Sequence, residues 1–149
     1  MTGARARTLI LAVASAFVMF TVPSVVAQKD RTASFTKDES VYAELAKAPQ
    51  KAVARRNPLE SDPEAVAAGA NLFDQHCAEC HGDMAEGGRK APSLLAGKVQ
   101  ESTPGTLFWI LTNGVVRRGM PVWSKLPEPQ RWQIVSYLKS LGPKEKAPQ

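Results

Sequence analysis

The feature that most constrains this chain is the run at residues 77–81, which reads Cys-Ala-Glu-Cys-His. A Cys-x-x-Cys-His run is the attachment signature of a c-type haem. Two thiols three positions apart on one helical turn can bond covalently to the two vinyl groups of a haem, and the next residue then lies under the iron. Cys77 and Cys80 are the only cysteines of the chain. We therefore predict one covalent haem c, attached through Cys77 and Cys80, with His81 as an axial iron ligand.

An export signal is predicted at the start of the chain. Arg5 and Arg7 are followed by an apolar run at residues 9–22, then by Pro23 and by small residues at positions 25–27. This order is typical of a cleaved signal peptide, which we predict at residues 1–27. The alternative is an uncleaved anchor, because residues 8–27 approach the about 20 apolar residues that span a bilayer. We expect a periplasmic or extracytoplasmic protein, with membrane contact only if residues 8–27 are not cleaved.

Export changes what the cysteines can mean. Cysteines in an oxidising compartment usually pair, but a disulfide between Cys77 and Cys80 would close a very small loop and constrain nothing distant. Haem attachment, metal binding or redox chemistry remains as the role of the two cysteines.

The net charge is +5, and loss of residues 1–27 with their two arginines lowers it to +3. This mild excess, without a basic tract interleaved with aromatic residues, predicts no nucleic-acid partner.

The rest of the chain divides by composition. Residues 28–57 hold few large apolar side chains, so we interpret them as a linker or N-terminal arm. A solvated linker and an arm that packs on the domain or on a partner both fit. Asn57-Pro58 favours an extended or turn conformation, so the main domain is predicted at residues 58–143. Residues 144–149 are predicted to be a disordered tail.

The first helix of the main domain is predicted to begin within residues 61–64. Either Ser61 or Asp62 can cap it. Gly69 lies in mid-helix, at a cost of about 1 kcal/mol relative to alanine, and would be useful if another helix crossed closely. Apolar residues recur at helical spacing and predict one face that bears Val66, Ala70, Phe73 and Cys77.

Two more helices are predicted after the motif. One begins at Thr103-Pro104 and ends at Asn113-Gly114, with Leu107, Ile110 and Leu111 on one face. The other begins at residues 127–129 and ends at Leu141, before the stop signals Gly142 and Pro143. Its apolar face bears Ile134, Tyr137, Leu138 and Leu141.

Other residues are candidates for the haem site. A haem-ligating histidine needs an acceptor for its other ring N–H, and a loop carbonyl such as that of Pro92 can serve. Met120 lies in a non-helical stretch and is the candidate second axial ligand, because a thioether raises the reduction potential of the iron. Met84 follows His81 too closely to reach the opposite face of the haem. Trp109 either lines the haem pocket or fills the core.

These positions resemble a class I cytochrome c over about residues 61–142. Gly69 and Phe73 stand at the family's spacing before the Cys-x-x-Cys-His motif. Pro92-Ser93-Leu94 resembles the family's Pro-x-Leu, Met120-Pro121 matches the distal ligand loop, and Ile134 and Tyr137 match the C-terminal helix.

The resemblance implies a small all-α cytochrome c fold, with three to four helices around one covalently attached haem. It implies that the terminal helices cross at Gly69, that the Pro92 carbonyl accepts from His81, and that Pro92 and Leu94 line the haem pocket. The stretch between Leu95 and Thr103 is short. This is closer to bacterial short-loop cytochromes, including the haem domains associated with dehydrogenases and oxidases.

The predicted function is extracytoplasmic electron transfer by a one-electron carrier whose haem is ligated by His81 and Met120. No catalytic acid, base or nucleophile is evident, so we expect no enzyme. The expected partners are redox proteins. Arg117, Arg118 and Lys125 are either a docking patch or ordinary solvated charge. The alternative is a haem-bearing electron-transfer subunit of a dehydrogenase or oxidase complex.

Three other interpretations use the same residues. A thiol–disulfide oxidoreductase would use Cys77 and Cys80, but such enzymes usually place Cys-x-x-Cys at a helix start beside a βαβ pattern. A zinc site lacks an evident fourth ligand, and adjacent Cys80 and His81 make poor tetrahedral geometry. A ligand-binding or peroxidatic haem protein would keep Met120 off the iron.

Overall fold

The computed structural model describes residues 41–60 and 62–142, and these residues form an all-α domain. The predicted signal peptide, the first part of the arm and the predicted tail lie outside the described residues. The helices are α1 (Gln50–Val53), α2 (Pro63–His76), α3 (Ala78–His81), α4 (Gly97–Gln100), α5 (Pro104–Asn113) and α6 (Glu128–Ser140). Short 3-10 turns occur at Leu45–Lys47 and Val116–Arg118.

The predicted fold class is confirmed, with one difference in the number of helices. Helices α2, α5 and α6 correspond to the three predicted helices. The three others have four residues each, which raises the total in the described part of the chain above the expected three to four. No strand forms there, and Val115 and Met120 make an isolated bridge. No helix within residues 41–60 and 62–142 has the length and apolar character to cross a bilayer.

Helix α2 begins at the second of the two predicted caps. The Asp62 carboxylate accepts from the Glu64 N–H at 2.9 Å, and Pro63 occupies the first helical position, where its missing N–H costs nothing. The helix ends at Cys77, whose φ of −125° and ψ of −35° depart from helical values. Helix α3 starts at the next residue, so the motif follows a break between two helices.

The crossing of α2 and α6 is the main packing contact of the domain. A Cβ atom at Gly69 would lie 2.0 Å from the Gln133 carbonyl oxygen, so only glycine permits this approach. The Phe73 and Tyr137 rings pack beside it with centroids 5.3 Å apart. The crossing at Gly69 is therefore as the resemblance implied.

The predicted apolar face of α2 is shifted. The buried residues of α2 are Ala65, Gly69 and Phe73, which face α6. Val66, Ala70 and Cys77 are half-buried on the adjoining face. The predicted face mixed these two surfaces because it followed one run of apolar residues at helical spacing, and it passed over Ala65 and Gly69, which are buried.

The second half of the core joins α5 to α6. Phe108 stacks on Trp132 with ring centroids 4.0 Å apart, and both rings are buried. The guanidinium groups of Arg55 and Arg131 lie 4.5 and 4.6 Å from the Phe108 ring centroid, which is cation–π range. The Thr103 hydroxyl accepts from the Thr106 N–H at 3.2 Å and caps α5 where the sequence predicted its start.

The described part of the arm, residues 41–57, packs on the domain. A Cβ atom at Gly105 would lie 2.0 Å from the Ala52 carbonyl oxygen, so α1 touches α5. The buried Asn57 amide donates to the Ser136 hydroxyl at 2.8 Å. Of the two alternatives for residues 28–57, the packed arm is the one seen at residues 41–57. The domain limits at 58–143 remain a prediction.

Candidate haem site

The two thiols and the imidazole of the motif lie on one turn. Cys77 ends α2, and its carbonyl accepts from the N–H groups of Cys80 at 3.1 Å and of His81 at 2.9 Å. Both cysteines are free thiols; Cys77 is half-buried and Cys80 is exposed. The turn therefore projects both thiols and the imidazole from a single rigid segment.

A backbone carbonyl fixes the ring of His81. The His81 Nδ1–H donates to the Pro92 carbonyl at 2.9 Å. With its proton on Nδ1, the ring has an unprotonated Nε2, the form that binds a metal. Burial lowers the pKa of His81, and the hydrogen bond to Pro92 opposes this in part. The lowered pKa favours the neutral imidazole, which is the ligand form.

A compact loop places Pro92 opposite His81. Gly87 has a φ of +78°, and a Cβ atom there would lie 2.2 Å from the Ser93 nitrogen. The Gly87 N–H also donates to the His81 carbonyl at 2.6 Å. Ala85 is buried in a left-handed conformation, with a φ of +62°, and its carbonyl accepts from the Leu94 N–H at 2.9 Å. These contacts hold the carbonyl of Pro92 at its distance from the ring.

Met120 belongs to a separate loop that a backbone bridge closes. The Val115 N–H donates to the Met120 carbonyl at 3.0 Å, and the Met120 N–H donates back at 3.3 Å. A Cβ atom at Gly114 would lie 2.6 Å from the Pro121 carbonyl oxygen, so glycine permits this close return. Met120 is half-buried against the core together with Trp123. The thioether is therefore held on a defined loop.

The other candidate residues have different positions. Leu94 is half-buried against the core, and its carbonyl accepts from the Gln100 amide at 2.7 Å. Trp109 is half-buried on α5, whereas its neighbour Phe108 fills the core. Met84 is 67% exposed. The roles of Pro92, Leu94 and Trp109 toward a haem remain predictions.

Three residues that help to hold this region in place could not be identified from the sequence. Ala85 takes up a left-handed conformation that is rare for residues with a Cβ atom. The His76 ring lies 5.2 Å from the Trp123 ring and links the end of α2 to the Met120 loop. Gln100 holds Leu94 through its side chain. The contact between His76 and Trp123 joins segments distant in sequence, and the contacts of Ala85 and Gln100 with Leu94 depend on how the loop folds.

The electrostatics of Cys77 disfavour its use as a thiol nucleophile. Burial, and after it the neighbouring Cys80, raises the pKa of Cys77 to about 11. Cysteines that act by thiol–disulfide exchange have the opposite property, a lowered pKa that yields thiolate. Cys77 stays protonated at neutral pH. Cys77 therefore lacks the activation that the thiol–disulfide interpretation requires of a nucleophile.

The exposed charges around the site are partly paired. Lys90 contacts Glu79 at 2.9 Å and lowers the pKa of that carboxyl. Arg117, one of the three cations of the predicted docking patch, contacts Glu44 of the arm at 3.0 Å. Within residues 41–60 and 62–142 no three His, Cys, Asp or Glu side chains lie close enough together to hold a metal ion.

The donor set fits a c-type haem. Two free thiols stand on one turn with an imidazole whose Nε2 is available, and a thioether stands on a separate loop. Thioether links need two reduced cysteines at this spacing, and an imidazole and a thioether are both neutral donors that haem iron accepts. His81 and Met120 are such donors.

The chain resembles known haem proteins. The family model described as cytochrome c oxidase, cbb3-type, subunit III matches residues 64–138, about half of the chain. The cbb3-type oxidase subunit CcoP of Azospirillum brasilense is 34% identical over 95 residues, which cover 58% of this chain and 32% of that protein. Cytochrome c550 of Pseudomonas aeruginosa is 33% identical over 93 residues, 58% of this chain and 62% of that protein. The crystal structure of cytochrome cL from Methylophaga aminisulfidivorans matches with a TM-score of 0.51 and 27% identity, over 57% of this chain and 58% of that one.

Fold and donor set together define a class I cytochrome c with a single haem. The chain belongs to the cytochrome c family of cbb3-type oxidase subunit III, and its cofactor is a covalently bound haem c. The predicted family and cofactor are thus confirmed. The chain spans about a third of the length of its CcoP relative and less than two thirds of cytochrome c550.

Proposed function

We propose that this protein is an extracytoplasmic one-electron carrier. In this proposal, Cys77 and Cys80 attach the haem, and His81 and Met120 are its axial ligands. The observation that carries it is the His81 ring, which is fixed by the Pro92 carbonyl on the same turn as two free thiols. A ring held in this way is prepared to bind a metal through Nε2, and the thiol–disulfide interpretation gives it no role.

The haem iron supplies a reversible one-electron change, and the protein sets its ligands. The bond from His81 to Pro92 orients the imidazole and makes it more electron-rich. Met120 contributes a neutral thioether, which favours the reduced iron and raises the potential. The bridge between Val115 and Met120 holds that loop. If His81 and Met120 both bound the iron, the haem would exchange electrons without taking a substrate at the metal, and the protein would act as a carrier rather than an enzyme.

Redox proteins are the proposed partners. The relative CcoP is a subunit of an oxidase, and cytochrome c550 carries the name of a single cytochrome, so the chain is either a haem-bearing subunit or a free shuttle. Native size measurement of the protein in cell extracts tests this. Co-migration with an oxidase would favour the subunit.

The proposed location is the periplasm, with residues 1–27 removed. The intact mass of the purified protein tests this directly, because cleavage after Ala27 and one haem together give a single expected mass. A mass that still includes residues 1–27 would support the anchor instead.

The haem proposal is tested by expression with a c-type haem maturation system. The exported protein should keep its haem on a denaturing gel, and both redox states should show low-spin spectra. Cys77→Ser combined with Cys80→Ser should abolish haem staining, because no thioether can form. Met84→Ala is the matched control and should stain like the wild type. Absence of covalent haem from the wild type would refute the proposal.

A further inference from the structure

The arm contacts the loop that supports His81 and the loop that carries Met120, through two residues that lie close together in sequence. Tyr42 donates its hydroxyl proton to the Ser93 carbonyl at 2.8 Å. Glu44 accepts from Arg117 at 3.0 Å. These residues lie before the part of the chain that matches the family model, residues 64–138. The contacts are therefore additions to the matched domain.

The Tyr42 contact leads directly to the ring of His81. Ser93 follows Pro92, and the Pro92 carbonyl holds His81 at 2.9 Å. The Tyr42 hydroxyl therefore restrains the peptide next to the one that orients the ligand. The bond is half-buried, and the Tyr42 side chain also packs against the core. A neutral hydrogen bond of this kind contributes on the order of 1 kcal/mol.

The Glu44 contact leads to the loop of Met120. Arg117 lies in the 3-10 turn at Val116–Arg118, between the two ends of the bridge that Val115 and Met120 form. The Glu44 side chain is 20% exposed and accepts from both Arg117 and Lys47. Its carboxylate is thus held in place from two sides. Any movement of the Met120 loop away from the domain must stretch this ion pair.

We propose that Tyr42 and Glu44 are positioning residues for the haem site, which tie the His81 side and the Met120 side to one arm and keep the thioether on the iron. The inference rests on the proposed function. Loss of the Glu44 contact makes the Met120 loop more mobile, and loss of the Tyr42 contact makes the Pro92 support of His81 more mobile. Either change makes Met120 easier to displace from the iron. The arm thereby sets the reduction potential as well as the stability of the domain.

The test uses the haem-loaded protein and imidazole, which competes with a thioether for ferric iron. Glu44→Gln and Tyr42→Phe should each bind imidazole about two- to fivefold more tightly than the wild type, the range that one exposed ion pair or neutral hydrogen bond supplies. The Glu44→Gln difference should vanish at high salt, because salt screens an exposed pair. The Tyr42→Phe difference should persist.

Glu128→Gln is the matched control. It removes an exposed ion pair between the arm residue Arg55 and α6 but touches neither ligand loop, so imidazole binding should equal that of the wild type. Midpoint potentials of all variants provide a second readout, with Glu44→Gln and Tyr42→Phe lower than the wild type and Glu128→Gln unchanged.

Two results would overturn the inference in different ways. Variants that melt earlier but keep wild-type imidazole binding and potential would show that the arm only stabilises the fold. A wild type whose spectrum shows no thioether ligand, and in which Met120→Ala changes nothing, would refute the proposed function and this inference with it. The Met120→Ala variant separates the two cases.

Discussion

Replacing Gly69 with alanine should push the two main helices apart. The added Cβ atom would lie 2.0 Å from the Gln133 carbonyl oxygen and 3.0 Å from the Tyr137 Cβ atom. The first neighbour is backbone in mid-helix, so it cannot rotate away as a side chain can. Ordinary contact requires the two atoms to separate by at least about 1.4 Å.

The expected change in the free energy of unfolding for Gly69→Ala is the sum of three contributions. Alanine gains about 1 kcal/mol over glycine in helix propensity. Overpacking costs about 1–3 kcal/mol, and a loosened contact between Phe73 and Tyr137 costs about 0.5–1.5 kcal/mol more. The net loss is about 0.5–3.5 kcal/mol. At roughly 4–8 °C per kcal/mol for a domain of this size, the melting temperature should fall by roughly 2–28 °C.

The assay is thermal unfolding of the haem-loaded protein, followed by circular dichroism. Gly88→Ala is the control, because a Cβ atom at Gly88 meets nothing within 4 Å, and it should change stability by less than about 0.5 kcal/mol. A Gly69→Ala protein as stable as the wild type would refute the close crossing of α2 and α6.

Two other predictions concern the buried and exposed contacts of the arm and α6. Asn57→Ala should destabilise the protein by about 1–3 kcal/mol, since it removes a buried amide that donates to Ser136; chemical denaturation measures this. Hydrogen bonds from Trp132 and then Arg55 lower the pKa of Glu128. Because the folded pKa lies below the ordinary value, the stabilisation by Glu128 is present at neutral pH and is lost as pH falls through the folded pKa. Glu128→Gln should therefore be less stable at neutral pH and match the wild type in acid, as pH-dependent melting curves will show.

Each of these predictions has a control in the same chain. Asn113→Ala removes an exposed amide that bonds within α5 and should cost less than Asn57→Ala. Equal losses of stability in the two variants would contradict the argument that burial strengthens the contribution of the Asn57 hydrogen bond. Glu60→Gln is the control for Glu128→Gln. A Glu128→Gln protein that stays less stable than the wild type at all pH values would show that the effect is not ionic.

The sequence predicted the long helices well because their boundaries carry local signals. Asp62 with Pro63, and Thr103 with Pro104, satisfy the first N–H groups of α2 and α5, and the structure uses both caps. Glycine at position 69 indicated a close contact before any partner was known. The four-residue helices carry no periodic pattern, because one turn is too short to show one, so they were missed.

The contacts of the arm could not be predicted from its composition. Tyr42 and Ser93 are 51 residues apart, and Glu44 and Arg117 are 73 apart. Such contacts depend on how the whole domain folds. The core was also underestimated on α5 and α6, where Phe108, Trp132 and Val135 are buried outside the predicted faces. Helices enclosed on several sides bury more than one stripe, so periodicity alone does not find these residues.

Within the site, the sequence motif predicted the groups that would bind a haem but not the residues that hold those groups in place. Cys77, Cys80 and His81 are identified by spacing alone. The left-handed Ala85 and the contact between His76 and Trp123 are specified by tertiary packing. The sequence therefore indicates which atoms would bind a haem, and the fold determines how firmly they are held.

The central claim is that Met120 occupies the iron opposite His81. The most direct test is the visible spectrum of the reduced protein before and after exposure to carbon monoxide, which binds ferrous haem only where an axial position is open or readily vacated. We predict no change for the wild type or for Met84→Ala, and rapid conversion to the carbon monoxide form for Met120→Ala. Ready binding of carbon monoxide by the wild type would contradict the assignment of Met120 as a firm ligand.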